Sequence, residues 1–550
     1  INANKAAFKG KWVLIPGAST GFARDGRRGT KLPDGSPEYL DAEMMPPLTK
    51  ALLDAGALGT IQSAKPTAPA QDGFLPPLGI LDGFAASWDK LPELPDIKLL
   101  DTQYDEIKAL AEKNQPVELE FDIRNWFKMG PIKYHNVVAT LRGTTYPDEY
   151  VVIGGHFDAF SVATGGVDDG SGFSPNMEAI RLIKAAGARP KRSIVLVLFA
   201  AEESGLLGSQ GWLKNRPGID SKVVMMVNRD GSPSAITGVS VPAAWHADFE
   251  KITTPLATLN PKWPFKLVRN DYPSAMPLTP GGSDHSSFQM RGIPTLNVQT
   301  TSARPGTNGE KEINFDYRYV WHTTNDLYDQ LVPYTEHQEH SALATAVIAY
   351  GVANLDKPLS REGVYLPDGL YADITMGTPS APKRVMASID FVNAPVHAAN
   401  FVRLFEGGQP GAATAPARPP AAALAAMGQR PPQIPPVGQV VDTRNGRLSA
   451  VVTSDVAKSV AVKSLPKRTA GTLKQDAPGV LALASPNAFY LTTGAKGGSG
   501  VAIGRVIAGL GVLPEIRKDD EIRSVRIIRV GQAAREFKTD DAAFKELLGK

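Results

Sequence analysis

The chain has 550 residues, a net charge of +3 and no cysteine. So small a charge on so long a chain gives no electrostatic ground for binding nucleic acid or an anionic membrane. Without cysteine there is no thiol nucleophile and no disulfide, and any metal must be held by His, Asp and Glu. The length suits two to four domains. The longest apolar run, residues 194–201, is far short of the roughly 20 residues that a membrane-spanning helix needs.

The chain begins INANKAAF, with neither Met nor a signal peptide, while residues 9–16 (KGKWVLIP) already read as a strand inside a domain. Its start is therefore expected to be processed or cut away. Residues 1–125 mix short strand runs with one helical segment, YLDAEMMPPLTKALLDAGALGTI, and many turns. Within them, VLIPGASTGFAR fits a Gly-x-Ser-x-Gly nucleophile elbow and also a glycine-rich nucleotide loop. Both need a helix immediately afterwards. DGRRGTKLPDGSPE follows instead, full of helix breakers, so the stretch reads as a loop after a strand.

Residues 126–356 alternate apolar strand runs with helical stretches. EYVVIGGHFD, RSIVLVLFAAEE, KVVMMVNRD and IPTLNVQT are near-continuous Val, Ile and Leu runs. Such runs suit strands buried on both faces. They predict an α/β fold with a mixed, mostly parallel sheet sandwiched by helices. Between the first two runs a helix is expected, with Ser174 as its cap, Pro175 at its first position, Ile180 and Ile183 on one face and Gly187 at its end. A later helix, TEHQEHSALATAVIAYGVANL, is expected to carry Leu343, Val347 and Tyr350 as its apolar stripe. Its His337 and His340 do not form His-Glu-x-x-His, and belong in a solvated first turn. Residues 357–382 read as a connector, and residues 383–535 as a third domain interrupted by a Pro- and Ala-rich linker at 407–439. Residues 536–550 read as a tail.

Each strand run of the middle zone ends in acid or histidine. EYVVIGG leads to His156 and Asp158, and the glycine-rich loop beyond it to Asp168 and Asp169. IVLVLFAA leads to Glu202 and Glu203, VVMMVN to Asp230, and YVWHTTND carries His322. Ligands of open α/β sheets bind beyond the carboxyl ends of the strands. Carboxylates gathered there would repel one another, and a divalent cation removes that cost. Two histidines and three carboxylates without sulfur suit zinc or a similar metal. Five ligands exceed the usual three of one catalytic zinc, and suit two ions about 3.5–4 Å apart sharing a carboxylate. One acid of the Glu202–Glu203 pair is then left to take a proton from water. That chemistry hydrolyses a carbonyl bond.

The motifs GGHFDAF, GVDDGSG, FAAEESGLLGS, NRDG and WHTTNDLYD occur in that order within residues 120–356. They closely resemble family 28 of the metallopeptidases, the co-catalytic zinc aminopeptidases and glutamate-carboxypeptidase-like enzymes. The resemblance implies two zinc ions, one on His156 and Asp230, the other on Glu203 and His322, with Asp168 bridging. It makes Glu202 the general base and has Asp158 orient His156 through its second ring nitrogen. It sets GGSDHSSF (residues 281–288) near the substrate, with Asp284 behind the ligands. KGKWVLIP, ALLDAGALGTI and ELEFDI resemble pieces of a protease-associated domain, which is mainly β and has no chemistry of its own. MASIDFVNAPVHAANFVRLFEGG and APGVLALASPNAFYLTTGAKGGSGVAIGRVIAGLGVLPEI resemble the two ends of a cyclophilin β-barrel. The Phe-His-Arg segment of those isomerases is missing, and Ala488 stands where they have Gln, so a barrel without isomerase activity is expected.

The function expected is hydrolysis of terminal peptide bonds by an aminopeptidase with a peptide substrate. The alternatives are a carboxypeptidase of the glutamate-carboxypeptidase type, a non-catalytic scaffold on the same fold, and a single-zinc acyltransferase such as a glutaminyl cyclase. An aminopeptidase needs acid to hold the substrate ammonium, and a carboxypeptidase needs Arg or Lys for the carboxylate. Arg269 and Arg291 flank GGSDHSSF and are candidates for the latter. The resemblance also implies a periplasmic or secreted location.

Overall fold

The computed structural model describes residues 1, 3–19, 45–64, 94–122, 130–160, 163–305, 312–322, 325–378, 380–407, 437–444, 447–460, 462–466, 473–494 and 498–549. The body of the 407–439 linker and the residues after Ser19 that decide the nucleophile-elbow question lie outside them. The chain divides into two compact units. The first comprises Ile1–Val239, Asp248–Leu267 and Leu278–Leu359; the second comprises Ser240–Ala247, Val268–Pro277 and Ser360–Lys550.

The first unit opens with β1 (Trp12–Ser19), α1 (Met45–Asp54), β2 (Gly59–Ala64), β3 (Asp96–Leu100) and α2 (Asp101–Glu112). The three strands are parallel, in the order β1-β2-β3. Ile15, Leu52 and Leu94 form their small core, and the Tyr104 hydroxyl donates to Ile15 O at 2.6 Å. A mainly β unit was expected here. The described residues hold the three strands and the two helices.

The main sheet holds β4 (Val137–Leu141), β5 (Tyr146–His156), β6 (Arg192–Phe199) and β7 (Val223–Asn228), in the order β4-β6-β5-β7. β5 runs parallel to β6 and β7, while β4 is antiparallel to β6. All eight residues of β6 are buried, as its unbroken apolar run requires. On one face Val152, Val195, Val197 and Phe199 pack with Trp212 of α4 (Leu207–Lys214) and Phe288 of α5 (His285–Gln289). α3 (Gly170–Ala185) and α6 (Thr335–Ala353) also pack on β5 and β6. IPTLNVQT departs from expectation. Only residues 294–296 pair with β7, through Met226. The rest becomes β10 (Asn297–Thr301), half-exposed, in a second sheet ordered β10-β8-β9 with β8 (Ala235–Pro242) and β9 (Lys266–Asn270).

Two helices differ from their sequence reading. α3 starts at Gly170, not Pro175; Ser174 lies inside it and donates to Gly170 O (2.6 Å). Gly187 does end it, at φ +67°, the left-handed conformation that favours glycine. α6 turns the expected stripe outward: Leu343 is 40% exposed, and the buried side is made of His337, His340, Ser341, Ala344 and Ile348. Its histidines are not solvated. The Trp263 ring lies 4.5 Å from His337 and 5.0 Å from His340. Their Nε2 atoms donate to Ala303 O (2.9 Å) and Ile236 O (3.0 Å). Small alanines let the helix approach closely, so the imidazoles become part of the packing.

Burial lowers the pKa of both histidines. The folded chain thus binds fewer protons there than the unfolded chain at about pH 6.5 and below. Their stabilising packing is complete above that pH and is lost as pH falls. Chemical denaturation at pH 7.5 and 5.5 should show a smaller acid loss in His337→Gln than in the parent chain.

The second unit contains a closed antiparallel barrel of eight strands: β11 (Gly369–Thr378), β12 (Ala381–Ile389), β13 (Gly438–Asp442), β14 (Arg447–Val452), β15 (Val480–Ser485), β16 (Ala488–Thr492), β17 (Val501–Ala508) and β18 (Glu521–Val530). Their order is β11-β12-β17-β15-β16-β14-β13-β18, and β11 pairs with β18 to close the ring. α7 (Pro395–Glu406) packs on the barrel core, with Phe401 5.5 Å from Phe489. The stretch expected as a connector supplies β11. The expected tail carries a further helix, Asp541–Gly549, tied to α7 by Arg403 and Asp541 at 2.6 Å. Phe489 and Tyr490 are core residues. Among the described residues, no helix is long and apolar enough to cross a membrane.

Candidate metal centre

The carboxyl ends of β5, β6 and β7 bring the five expected ligands together. His156 ends β5, Glu203 lies in the turn after β6, Asp230 follows β7, Asp168 precedes α3, and His322 follows a short helix, Tyr317–Val320. They form two groups, His156–Asp168–Asp230 and Asp168–Glu203–His322, whose ligand atoms lie within 4.8 Å of one another in each group. Asp168 belongs to both. Its Oδ1 is 3.3 Å from His156 Nε2, and its Oδ2 is 3.4 Å from His322 Nε2. His322 Nε2 is 3.0 Å from Glu203 Oε2, and His156 Nε2 is 3.9 Å from Asp230 Oδ1. Glu202 belongs to neither group.

The electrostatics are those of crowded acid. Burial pushes the Glu203 carboxyl up to about 7, and the Glu202 carboxyl also well above its ordinary range, with Asp230 and Asp284 adding to the effect on Glu202. Burial opposes the charged form of His322, but the Asp168 and Glu203 carboxylates outweigh it and lift its pKa to about 9. His156 is raised in the same way by Asp168 and Asp230. Asp168 runs the other way: burial would raise it, and the two histidines hold it low. Its Oδ2 and Glu203 Oε1 are buried and have no hydrogen-bond partner among the described residues. Orphaned carboxylate oxygens facing imidazole nitrogens are the donor set that a divalent cation satisfies. The residues present therefore fit a pair of such ions.

The supporting residues are only partly those expected. His156 Nδ1 donates to the main-chain carbonyl of Asp158 at 2.9 Å, while the Asp158 carboxylate is 3.8 Å away. The expected orientation of His156 by the Asp158 side chain is thus corrected: the main chain does it. The carboxylate accepts instead from the amides of Glu202 (3.1 Å) and Glu203 (3.3 Å). Asp326, given no role on sequence, accepts from the amides of Val167 (2.7 Å) and Asp168 (3.1 Å) through Oδ1 and so fixes the bridging residue. Its place four residues after His322 was the one available signal. Asp284 is wholly buried, and burial pushes its carboxyl up to about 7. Arg269 pairs with Asp271 at 2.6 Å and Arg291 with Asp220 at 2.8 Å. Both candidates for a carboxylate clamp are therefore already paired with acids.

Asp168 and Asp169 are joined by a cis peptide bond. The Asp169 carboxylate is buried in a slot that two glycines leave open. A Cβ on Gly172 would sit 2.0 Å from Asp169 Oδ1 and 2.3 Å from Arg229 O; one on Gly155 would sit 2.3 Å from Asp169 Oδ2. Backbone lies on one side of each, so neither clash can be relieved by a side-chain rotation alone. Gly172→Ala should destabilise the unit by about 3 kcal/mol or more, read by chemical denaturation, and lower metal uptake with it.

Residues 136–348 match the model of Peptidase family M28. The chain carries a Peptidase family M28 domain. Carboxypeptidase Q of Rattus norvegicus is 25% identical over 280 residues, 50% of this chain and 52% of the relative. A probable zinc metalloprotease of Pyrenophora teres f. teres (strain 0-1) is 36% identical over 122 residues, 20% of this chain and 26% of its own length. The crystal structure of a Peptidase M28 precursor from Shewanella amazonensis SB2B aligns at 23% identity with a TM-score of 0.42, covering 64% of this chain and 75% of that one. The chain spans about half the length of the rat relative. The M28 match contains all five ligands and Glu202, Asp158, Asp284 and Asp326. It excludes the parallel sheet at the start and the barrel.

Proposed function

We propose that the chain is a metal-dependent exopeptidase, an aminopeptidase, working with two zinc ions. The observation that carries this reading is the pair of ligand groups sharing Asp168. His156 and Asp230 would hold one ion, Glu203 and His322 the other, with Asp168 between them. Ions so held supply an acidified water and a polarised carbonyl. Glu202 takes the proton from the attacking water as its oxygen bonds to the carbonyl carbon. When the C–N bond breaks, Glu202 gives that proton to the departing amine. Asp326 keeps the bridging carboxylate in place throughout.

The choice of the amino end rests on charge. Carboxylates outnumber the imidazoles at the site: Asp230, Asp284 and Glu203 act on Glu202 against His156. Arg229 is buried beside Asp169 and donates to Ser234 O (3.2 Å). Excess acid favours a substrate ammonium over a terminal carboxylate. A carboxypeptidase is the second reading, favoured by the name of the rat relative. Dipeptides blocked at the amino or the carboxyl end decide between them. An aminopeptidase cleaves only those with a free amino end, and cleavage of the opposite set overturns the assignment. Metal analysis of the purified chain should find two zinc ions, and a metal-free active enzyme would defeat the reading as a whole.

The outer parts take their proposals from sequence. Residues 1–125 are read as a protease-associated-like domain, and the barrel as a degenerate cyclophilin without isomerase activity. Measurable acceleration of prolyl isomerisation by the full chain would overturn the latter. A periplasmic or secreted location follows from the motif resemblance.

A further inference from the structure

The two histidines that face Asp168 are held differently. A metal-ligating imidazole ordinarily donates its second ring nitrogen to an acceptor, which fixes the ring. His156 does so, from Nδ1 to Asp158 O. His322 Nδ1 is buried and has no hydrogen-bond partner among the described residues. The main chain at His322 has φ +58°, a left-handed value that persists in a non-glycine residue only where the surroundings impose it. What lies against the imidazole is aromatic. The centroid of the Phe160 ring is 4.0 Å from that of His322, with 35° between the planes, and the Trp321 ring is 4.3 Å away at 33°. These rings arrive from two places in the chain. Trp321 closes the short helix Tyr317–Val320: its amide donates to Tyr317 O (2.8 Å), and its ring stacks on that of Tyr317 at 6.1 Å. Phe160 stands four residues after His156, in the loop that leads from β5 to Asp168. That loop is tied to the stretch after His322, because Thr164 N and Gly166 N both donate to Asp326 O, at 3.2 and 3.3 Å. The tie brings Phe160 to a histidine far from it in sequence.

We propose that Phe160 is a positioning residue that holds the His322 imidazole by ring contact, with Trp321 as the second ring, in place of the hydrogen bond that holds His156. Tilted aromatic pairs attract one another beyond the area they bury, and they restrict the angle between their planes. The two halves of the centre then differ in kind. The ion on His156 has a ligand fixed by a hydrogen bond, and the ion on His322 has a ligand fixed by packing. Loosening Phe160 therefore weakens the second ion and spares the first. The inference rests on the proposed ligand roles of His156 and His322.

Histidine-labelled NMR and zinc titration test this without any turnover. In the metal-free parent chain, the carbon-bound protons of the His322 ring should be displaced by the neighbouring ring currents, and the ring should be as rigid as that of His156 on the ps–ns timescale. Undisplaced protons or a freely moving His322 ring overturn the proposal. Phe160→Leu keeps an apolar side chain and removes the ring. The His322 imidazole should then gain motion while that of His156 keeps its own, and Phe160→Tyr, which retains the ring, should behave as the parent. Zinc titration against a chromophoric chelator should find one ion bound about three- to tenfold more weakly in Phe160→Leu and the other at parent affinity. Parent affinity for both ions in Phe160→Leu, equal weakening of both, or a weakening that Phe160→Tyr shares overturns the proposal. If Phe160→Leu does not fold, the ring measurements on the parent chain decide alone. A parent chain that takes up no zinc would defeat the metal reading by itself, and the ring measurements would still decide whether Phe160 holds His322.

Discussion

Glu202→Gln is expected to retain its metal and lose turnover. The substitution keeps the shape of the side chain and removes its ability to accept a proton. Glu202 lies outside both ligand groups, so zinc content by elemental analysis should match the parent chain. General acid–base assistance contributes about 10²–10⁴-fold, and kcat should fall by that order with KM little changed. Glu203→Gln should behave differently. It removes a carboxylate 3.0 Å from His322, so metal occupancy itself should drop. The pair of outcomes separates base from ligand in two adjacent, chemically identical residues. If Glu202→Gln still hydrolysed peptide at the parent rate, the base would have to be another group. A scaffold without catalysis would show no rate to lose.

The contrast between those two residues also marks how far sequence reasoning reaches. β5, β6 and β7 were legible because strands buried on both faces need continuous apolar runs, and polar residues at their ends stand out. Hence His156, Glu202, Glu203 and Asp230 could be placed at one rim from the sequence alone. α6 was misread for the converse reason. Its buried side is mostly alanine, histidine and small hydroxyl residues, with Ile348 and Val352, and a periodicity of large apolar residues finds Leu343 on the exposed side. Asp158 and Asp326 bond to main-chain amides, and an amide carries no side-chain signature to search for. The first barrel strand was mistaken for a connector: it forms a tight hairpin with β12, but its other neighbour, β18, comes from the far end of the domain. Pairing over such separations leaves no local trace.

Asp168→Asn should have the second large effect, and on both ions together. Asp168 presents one oxygen to each imidazole, at 3.3 and 3.4 Å. Asn offers a single acceptor oxygen, and the NH2 that replaces the other would be turned toward a cation or an imidazole. The buried charge is also lost, and it is the charge that holds both histidines in place. Two ions per chain should fall to one or none by elemental analysis, with peptidase activity near background. The bound metal stabilises the native state in proportion to its affinity and concentration. The parent chain should therefore melt lower after chelation, and Asp168→Asn should show little such response. Asp326→Asn makes the control. It keeps the bridging carboxylate and weakens only the support under the Val167 and Asp168 amides. Its metal should loosen without leaving, with full occupancy recovered at higher zinc. Were Asp168→Asn to keep both ions at parent affinity, the bridge would be wrong, and two separate sites would have to take its place.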